Sequence, residues 1–369
     1  MTRILDGELL LPVISMPHEE PQLFFFCELS GTALLSLLDR LDVLNLLAMR
    51  SCGVALALPV FDDAYAAATR VLNAHNIPVV AWLTLPADEG LAFNLQNYPR
   101  AAACYQTFHA WAQTHGLRFA AVGFDMEPPL SDALFVGWGG VREIVRRIWL
   151  ARDNALFPAA RMAYLELMAI ARRDGYEVHA YQIPLIADDR RVGTTLLQRA
   201  LDIVDLPADI EVLMCLSETA PEWFGSALIA VYGPSADALA VGRSSSSDTA
   251  LRWDDMQRDL LLAAAYTDTI YVATLEQCVV SGYLERIAAL DWGTPVRIAV
   301  LPYAVLWSMR LLMLIGLVIA RYGKTALAWL GWLIALILWL RGRYATAQPA
   351  PGNRQSADED RNQPKRQQR

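Results

Sequence analysis

Asp125 and Glu127 are the residues whose types and spacing best suit chemistry in this chain. They close the stretch Phe119 to Pro129, where an apolar run leads into two acids and then two prolines. Such a run reads as a buried strand that ends abruptly at a surface. Side chains alternate faces along a strand, so Asp125 and Glu127 point one way and Met126 the other. Two carboxylates held together at the end of a buried strand do not both ionise at their ordinary pKa. The one that keeps its proton is suited to general-acid work. The structural alternative is that the pair caps the following helix or meets an arginine such as Arg118 or Arg142.

The elements that position such a pair follow from hydrophobic patterning. Eight short apolar runs, at 23–29, 53–59, 78–86, 118–127, 176–184, 210–217, 227–233 and 269–276, alternate with helix-like segments such as 32–49, 62–75, 98–115 and 187–204. Asp62 and Asp63 open one of those helices, and Asp62 reads as its N-cap. Runs that are continuously apolar fit strands buried on both faces, and the alternation is that of parallel βαβ units. A count of eight fits a closed (β/α)8 barrel, the TIM barrel, over residues 23–293, after an N-terminal segment 1–22. Neither GxGxxG after the first strand nor a P-loop is present in the sequence, which removes the usual nucleotide-binding readings.

In such barrels the working residues lie at the C-terminal ends of the strands. Those ends hold Glu28, Asp62, Asp63, Thr84, Asp125, Glu127, Tyr181, Gln182, Ser217, Glu218, Tyr232 and Glu276. A ring of acids, tyrosines and an amide suits carbohydrate chemistry, in which polar groups hold hydroxyls and carboxyl pairs break glycosidic bonds. Glu127, Asp125 and Glu276 are the catalytic candidates. Glu28, Tyr181, Gln182, Glu218, Tyr232 and Trp292 are the substrate-binding candidates, and Trp82, Trp223 and Trp292 offer faces for sugar rings.

The segment Gly123 to Glu127 resembles the end of the DxxDxDxE signature of family 18, chitinase-like glycoside hydrolases. The resemblance implies that Glu127 is a general acid and that Asp125 orients a substrate N-acetyl group acting as nucleophile. The family's two earlier acids correspond here to Ala120 and Gly123, so the match covers one strand and the barrel outline. A looser resemblance is to retaining barrel glycosidases with a second carboxylate near the end of the barrel, a role that falls to Glu276, or to Glu218 in its place. Carboxyl groups about 5–5.5 Å apart imply retention and about 6.5–9.5 Å inversion.

The 369-residue chain carries a net charge of −8, which argues against a nucleic-acid partner. The five cysteines are scattered and show no metal or disulfide spacing, the histidines show no HxH or HExxH spacing, and no cofactor is implied. Hydrophobic residues make up 55%, and the excess lies near the C-terminus. Residues 298–320 are apolar except for Arg310, and 326–340 carry no charge. Between them Arg321–Thr325 reads as a turn. The expectation is a transmembrane helical hairpin over 298–341 with a disordered polar tail at 346–369. No signal peptide opens the chain, and the tail is rich in arginine, so the barrel is expected on the cytoplasmic side of a multi-pass membrane anchor. The expected partners are a carbohydrate or glycoconjugate and membrane lipid. The alternative is a non-catalytic barrel that binds a ligand or a protein at the membrane.

Overall fold

The structure is a computed structural model that describes residues 3–5, 8–12, 20–86, 90–129, 146–147, 154–216, 224–243 and 251–347. Eight parallel strands close into a barrel: β3 (Gln22–Cys27), β4 (Gly53–Leu58), β5 (Val79–Leu83), β6 (Ala121–Met126), β7 (Glu177–Gln182), β8 (Ile210–Met214), β9 (Ala238–Gly242) and β10 (Thr269–Ala273). Each pairs with the next, and β10 returns to β3 through Tyr271 opposite Phe24. The expected (β/α)8 barrel is therefore the fold.

Ahead of the barrel, β1 (Arg3–Leu5) and β2 (Glu8–Pro12) form an antiparallel pair. It is extended by β11 (Arg297–Ala299), which pairs with β2 beyond the last barrel helix. Nothing in the sequence reading anticipated this small sheet. It ties residues near the two ends of the barrel segment to one another.

Helices α1 (Gly31–Leu38), α2 (Leu41–Met49), α3 (Asp63–Ala74), α4 (Tyr98–His115) and α5 (Leu156–Arg173) follow the first four strands. The Asp62 carboxylate accepts the Tyr65 N–H at 3.0 Å, so the expected N-cap of α3 is present. Then come α6 (Ile186–Val192), α7 (Leu196–Ala200), α8 (Phe224–Tyr232), α9 (Trp253–Ala264), α10 (Leu275–Val280) and α11 (Tyr283–Ala288).

Two expected strands need correction. The apolar run at 227–233 belongs to α8, and the seventh barrel strand is β9, eleven residues beyond the start of that run. The eighth strand stops at Ala273, which places Glu276 in the first turn of α10.

Alternation along each strand divides the core. Phe25, Leu56, Ala81, Val122, Phe124, Ala180 and Leu213 face the helices. Phe24, Phe26, Trp82, Tyr181 and Tyr271 face inward and fill the barrel. Five large rings fit because small residues face them: Ala55, Ala57, Ala121, Ala238, Ala240 and Ala273 line the same interior. Gly123 is a tight case, since a Cβ there would lie 2.5 Å from the Tyr181 hydroxyl. This is the position at which the family 18 signature carries an acid. Tyr181 occupies the space that such an acid would need.

At the C-terminus, α12 (Val300–Ala347) is one continuous helix of 48 residues. It runs through Arg321–Thr325, where the sequence suggested a turn, so the expected hairpin is absent from the described chain. Glycine at 323 is tolerated inside a helix at a cost of about 1 kcal/mol. Val300–Gly323 is the stretch long and apolar enough to cross a bilayer, with Thr325–Arg341 a shorter apolar segment behind it. The chain divides into two compact units, the first ending at Leu317 and the second beginning at Val318.

Candidate functional site

β6 presents Asp125 on its inward face, opposite Tyr181 of β7 in register. Its carboxylate accepts the Trp82 indole N–H at 3.2 Å, and the residue is only 6% exposed. The backbone around it is fixed from the side. Phe93 N–H donates to Asp125 O at 2.8 Å, and Glu127 N–H donates to Phe93 O at 3.1 Å, which extends the pairing of β6 past its end. Glu127 itself lies one residue beyond the strand and is exposed. The two acids thus differ in setting: Asp125 belongs to the barrel interior, and Glu127 to its rim.

A second pair of acids stands across the mouth. Glu28 follows β3 directly, and Glu276 opens α10 just after β10. The Glu276 carboxylate accepts the Glu28 backbone N–H at 3.3 Å. Burial pushes the Glu276 pKa up, and the neighbouring Glu28 charge adds to the shift, against hydrogen bonds from backbone and Thr274 that oppose it. Beneath it the Cys27 thiol is also pushed up, by burial first and by the Glu276 charge second. In the strand order, β10 and β6 are four places apart in a ring of eight. Glu276 and Asp125 therefore belong to the ends of strands on opposite sides of the ring.

Below this layer a run of packed polar rings descends the interior. The Tyr181 and Tyr271 rings meet edge to face with centres 5.4 Å apart, and the Tyr271 hydroxyl lies 2.5 Å from His179 Nδ1. His179 Nε2 lies 3.5 Å from the Glu177 carboxylate at the lower rim. Burial lowers the His179 pKa more than Glu177 raises it, so the imidazole is held neutral. A neutral ring with its proton on Nε2 leaves Nδ1 to accept the Tyr271 hydroxyl and turns its N–H toward the Glu177 carboxylate. Burial raises both tyrosines, and for Tyr181 the Tyr271 and Asp125 charges add to it.

No protein-family model matches this chain, and no curated protein matches it in sequence. Among solved structures, it is similar to a xylose isomerase domain protein from Planctomyces limnophilus, with TM-score 0.42, 13% identity, and coverage of 74% of this chain and 98% of that one. It is also similar to the PgaB (BpsB) glycoside hydrolase domain from Bordetella bronchiseptica, with TM-score 0.41, 11% identity and coverage of 73% and 98%. A third is D-psicose 3-epimerase from Clostridium cellulolyticum H10, with TM-score 0.38, 10% identity and coverage of 72% and 95%. The site rests on its own residues, because a barrel fold hosts many chemistries.

The remaining sequence candidates scatter. Tyr181 is fully buried in the floor beneath the mouth. Gln182, its neighbour on β7, faces the helices, and its side-chain N–H donates to Leu206 O at 3.4 Å. Tyr232 ends α8, outside the barrel, with its hydroxyl 2.9 Å from the Asp188 carboxylate. Trp292 follows α11 and packs against the outer core, so it adjoins no strand end. Gln182, Tyr232 and Trp292 are therefore not lining residues of the mouth. Glu218 and Trp223 lie outside the described residues.

Arg243 is a residue that sequence reasoning passed over. It follows β9 directly and lines a small hollow with Ala273, Gln277 and Cys278, beside the Glu276 helix. Its signal was hidden because the seventh strand had been placed too early. Among the described residues no group of three His, Cys, Asp or Glu side chains gathers as metal ligands would.

Proposed function

We propose that the barrel mouth binds a carbohydrate or glycoconjugate and cleaves a glycosidic bond, and that α12 anchors the chain to a membrane. The observation that supports the reading is that Asp125 lies at the end of β6 and Glu276 follows the end of β10, four strands away around a barrel filled by aromatic side chains. Glycoside cleavage needs a carboxyl on each side of the scissile bond, one of them protonated. Glu276 is the carboxyl there whose affinity for its proton is raised, and it takes the acid role. Asp125 takes the partner role, and the Trp82 N–H holds its orientation. Glu127, which the family 18 resemblance cast as the acid, becomes a rim residue that contacts substrate. Glu28 sets the Glu276 environment, and Arg243 is placed to bind a hydroxyl or an anionic substituent.

The test uses the full-length protein in detergent with a panel of glycosides, comparing wild type with Glu276→Gln, Asp125→Asn and Glu127→Gln. General acids contribute about 10²–10⁴-fold to rate. Glu276→Gln is expected to lower kcat by that factor, and Glu127→Gln by less than about tenfold. Equal loss in Glu127→Gln and none in Glu276→Gln would return the acid role to Glu127. Sugar binding without hydrolysis by wild type would make the barrel a binding module. Neither binding nor hydrolysis across the panel overturns the reading.

A further inference from the structure

Arg310 sits in the middle of the stretch that hydropathy marks as a membrane span, yet it is not presented to lipid. It is 8% exposed, and its Nε donates to the Asp188 carboxylate at 2.7 Å. Asp188 is wholly buried and lies on α6, a barrel helix. The Arg310 guanidinium also donates to Val231 O and lies 4.2 Å from the centre of the Tyr232 ring, whose hydroxyl binds the same aspartate. Leu306 and Leu317 are buried on either side, and Tyr303 is half-buried against the outer core. Positions 303, 306, 310 and 317 share one helix face.

The rest of this segment is apolar and exposed, as at Leu301, Trp307, Met309, Leu312 and Ile315, so its burial is confined to that one face, whereas the segment behind it has no buried face. Leu327, Trp329, Leu330, Trp332, Leu333 and Ile334 are each more than half exposed. They point in all directions around the helix, and the apolar exposure continues to Leu340. A one-sided protein partner covers one stripe; a helix that is apolar all round needs an apolar solvent. No acid lies between Val300 and Ala347, and basic residues stand at 321 and 324 before the stretch and at 341 and 343 after it.

We propose that lipid is crossed once, by the segment following Lys324 and ending at Arg341, and that Val300–Leu317 remains a part of the barrel unit. This deepens the membrane-anchored reading above and rests on it. Drawing Val300–Leu317 into lipid would strand Asp188 in the protein interior without its cation, and breaking a buried pair in this way is strongly unfavourable. Thr325–Arg341 is shorter than an ordinary span, at about 25 Å against a hydrocarbon core of about 30 Å. Long basic side chains at both ends reach the headgroups and make up such a difference. A single crossing puts the barrel and the tail after Arg341 on opposite faces of the membrane, where a hairpin would put them on one.

The experiment uses the full-length chain in sealed vesicles. Single added cysteines at Met309, Ile315, Leu330, Ile337 and Ser356 are challenged with a water-soluble maleimide from each side, and the wild-type chain with its five native cysteines is the blank. Met309→Cys and Ile315→Cys are expected to label without detergent, from the barrel side. Leu330→Cys and Ile337→Cys are expected to lose labelling until detergent is added, and Ser356→Cys to label from the opposite side. Protection at 309 and 315, or labelling of 356 from the barrel side, overturns this assignment while leaving the anchor intact. Free labelling at 330 and 337 in vesicles also overturns it. Release of the whole chain by an alkaline carbonate wash overturns the anchored reading itself.

Discussion

Asp188 and Glu276 are both buried carboxyl groups whose pKa burial raises, and they are compensated in opposite ways. Asp188 lies outside the barrel and is met by Arg310 and by the Tyr232 hydroxyl. Each of these contacts lowers its pKa against the burial that raises it. At Glu276 the Glu28 charge raises the pKa further, and hydrogen bonds from the backbone and Thr274 oppose the rise. One buried carboxyl is offset by a cation and the other by hydrogen bonds alone among the causes of its shift, and the second setting is the one that suits the proposed proton donor.

The comparison can be broken most severely on the structural side. Arg310→Met leaves Asp188 buried and alone, and is expected to lower stability by about 3–5 kcal/mol in thermal or denaturant unfolding. Adding Asp188→Asn should recover much of that loss, and additive losses in the double variant would show that the two do not act as a pair.

On the barrel side, Gly123→Ala tests the packing that holds Tyr181 beneath the mouth. A Cβ 2.5 Å from the Tyr181 hydroxyl is expected to cost about 2–3 kcal/mol, and a neutral result would mean that the floor is loosely packed. Tyr271→Phe removes the partner of His179 Nδ1 and is expected to cost about 1–2 kcal/mol.

The smallest effect concerns pH. The folded Glu276 pKa lies above its ordinary value, so the favourable contribution is complete at pH below that ordinary value and is lost as pH rises through the folded pKa. Glu276→Gln should flatten this decline relative to wild type as pH rises above the ordinary glutamate value of 4.5. A steeper decline in the variant would reverse the sign of the shift.

The barrel was legible where its strands are long apolar runs closed by a turn residue or an acid, as in Leu23–Cys27, Gly53–Leu58 and Ala121–Met126. It was misread where two short apolar runs lie close together. Ala227–Gly233 is longer than Ala238–Gly242 and as apolar, yet the first is helical and the second is the strand. Runs of this length carry no periodicity that separates a buried helix from a buried strand. That error moved Tyr232 into the mouth and kept Arg243 out of it.

The pairing of Tyr181 with Gln182 as co-lining residues conflicted with strand alternation, which sends adjacent side chains to opposite faces. Asp125 was found because the strand and its acid are contiguous. The approach of Glu276 to Glu28, 248 residues away in sequence, depends on closure of the barrel between its last and first strands. The partner of Arg310 was equally out of reach, since an arginine in an apolar stretch gives no sign of which distant acid meets it.

The most direct test of the account is the titration of Glu276 itself. Carboxyl-region infrared difference spectra of the full-length protein, wild type minus Glu276→Gln, would follow that one group across pH. The account predicts a protonated carboxyl band that persists above the ordinary glutamate value of 4.5. A Glu276 that is already ionised at or below that value would contradict it, and the mouth would then lack its proton donor.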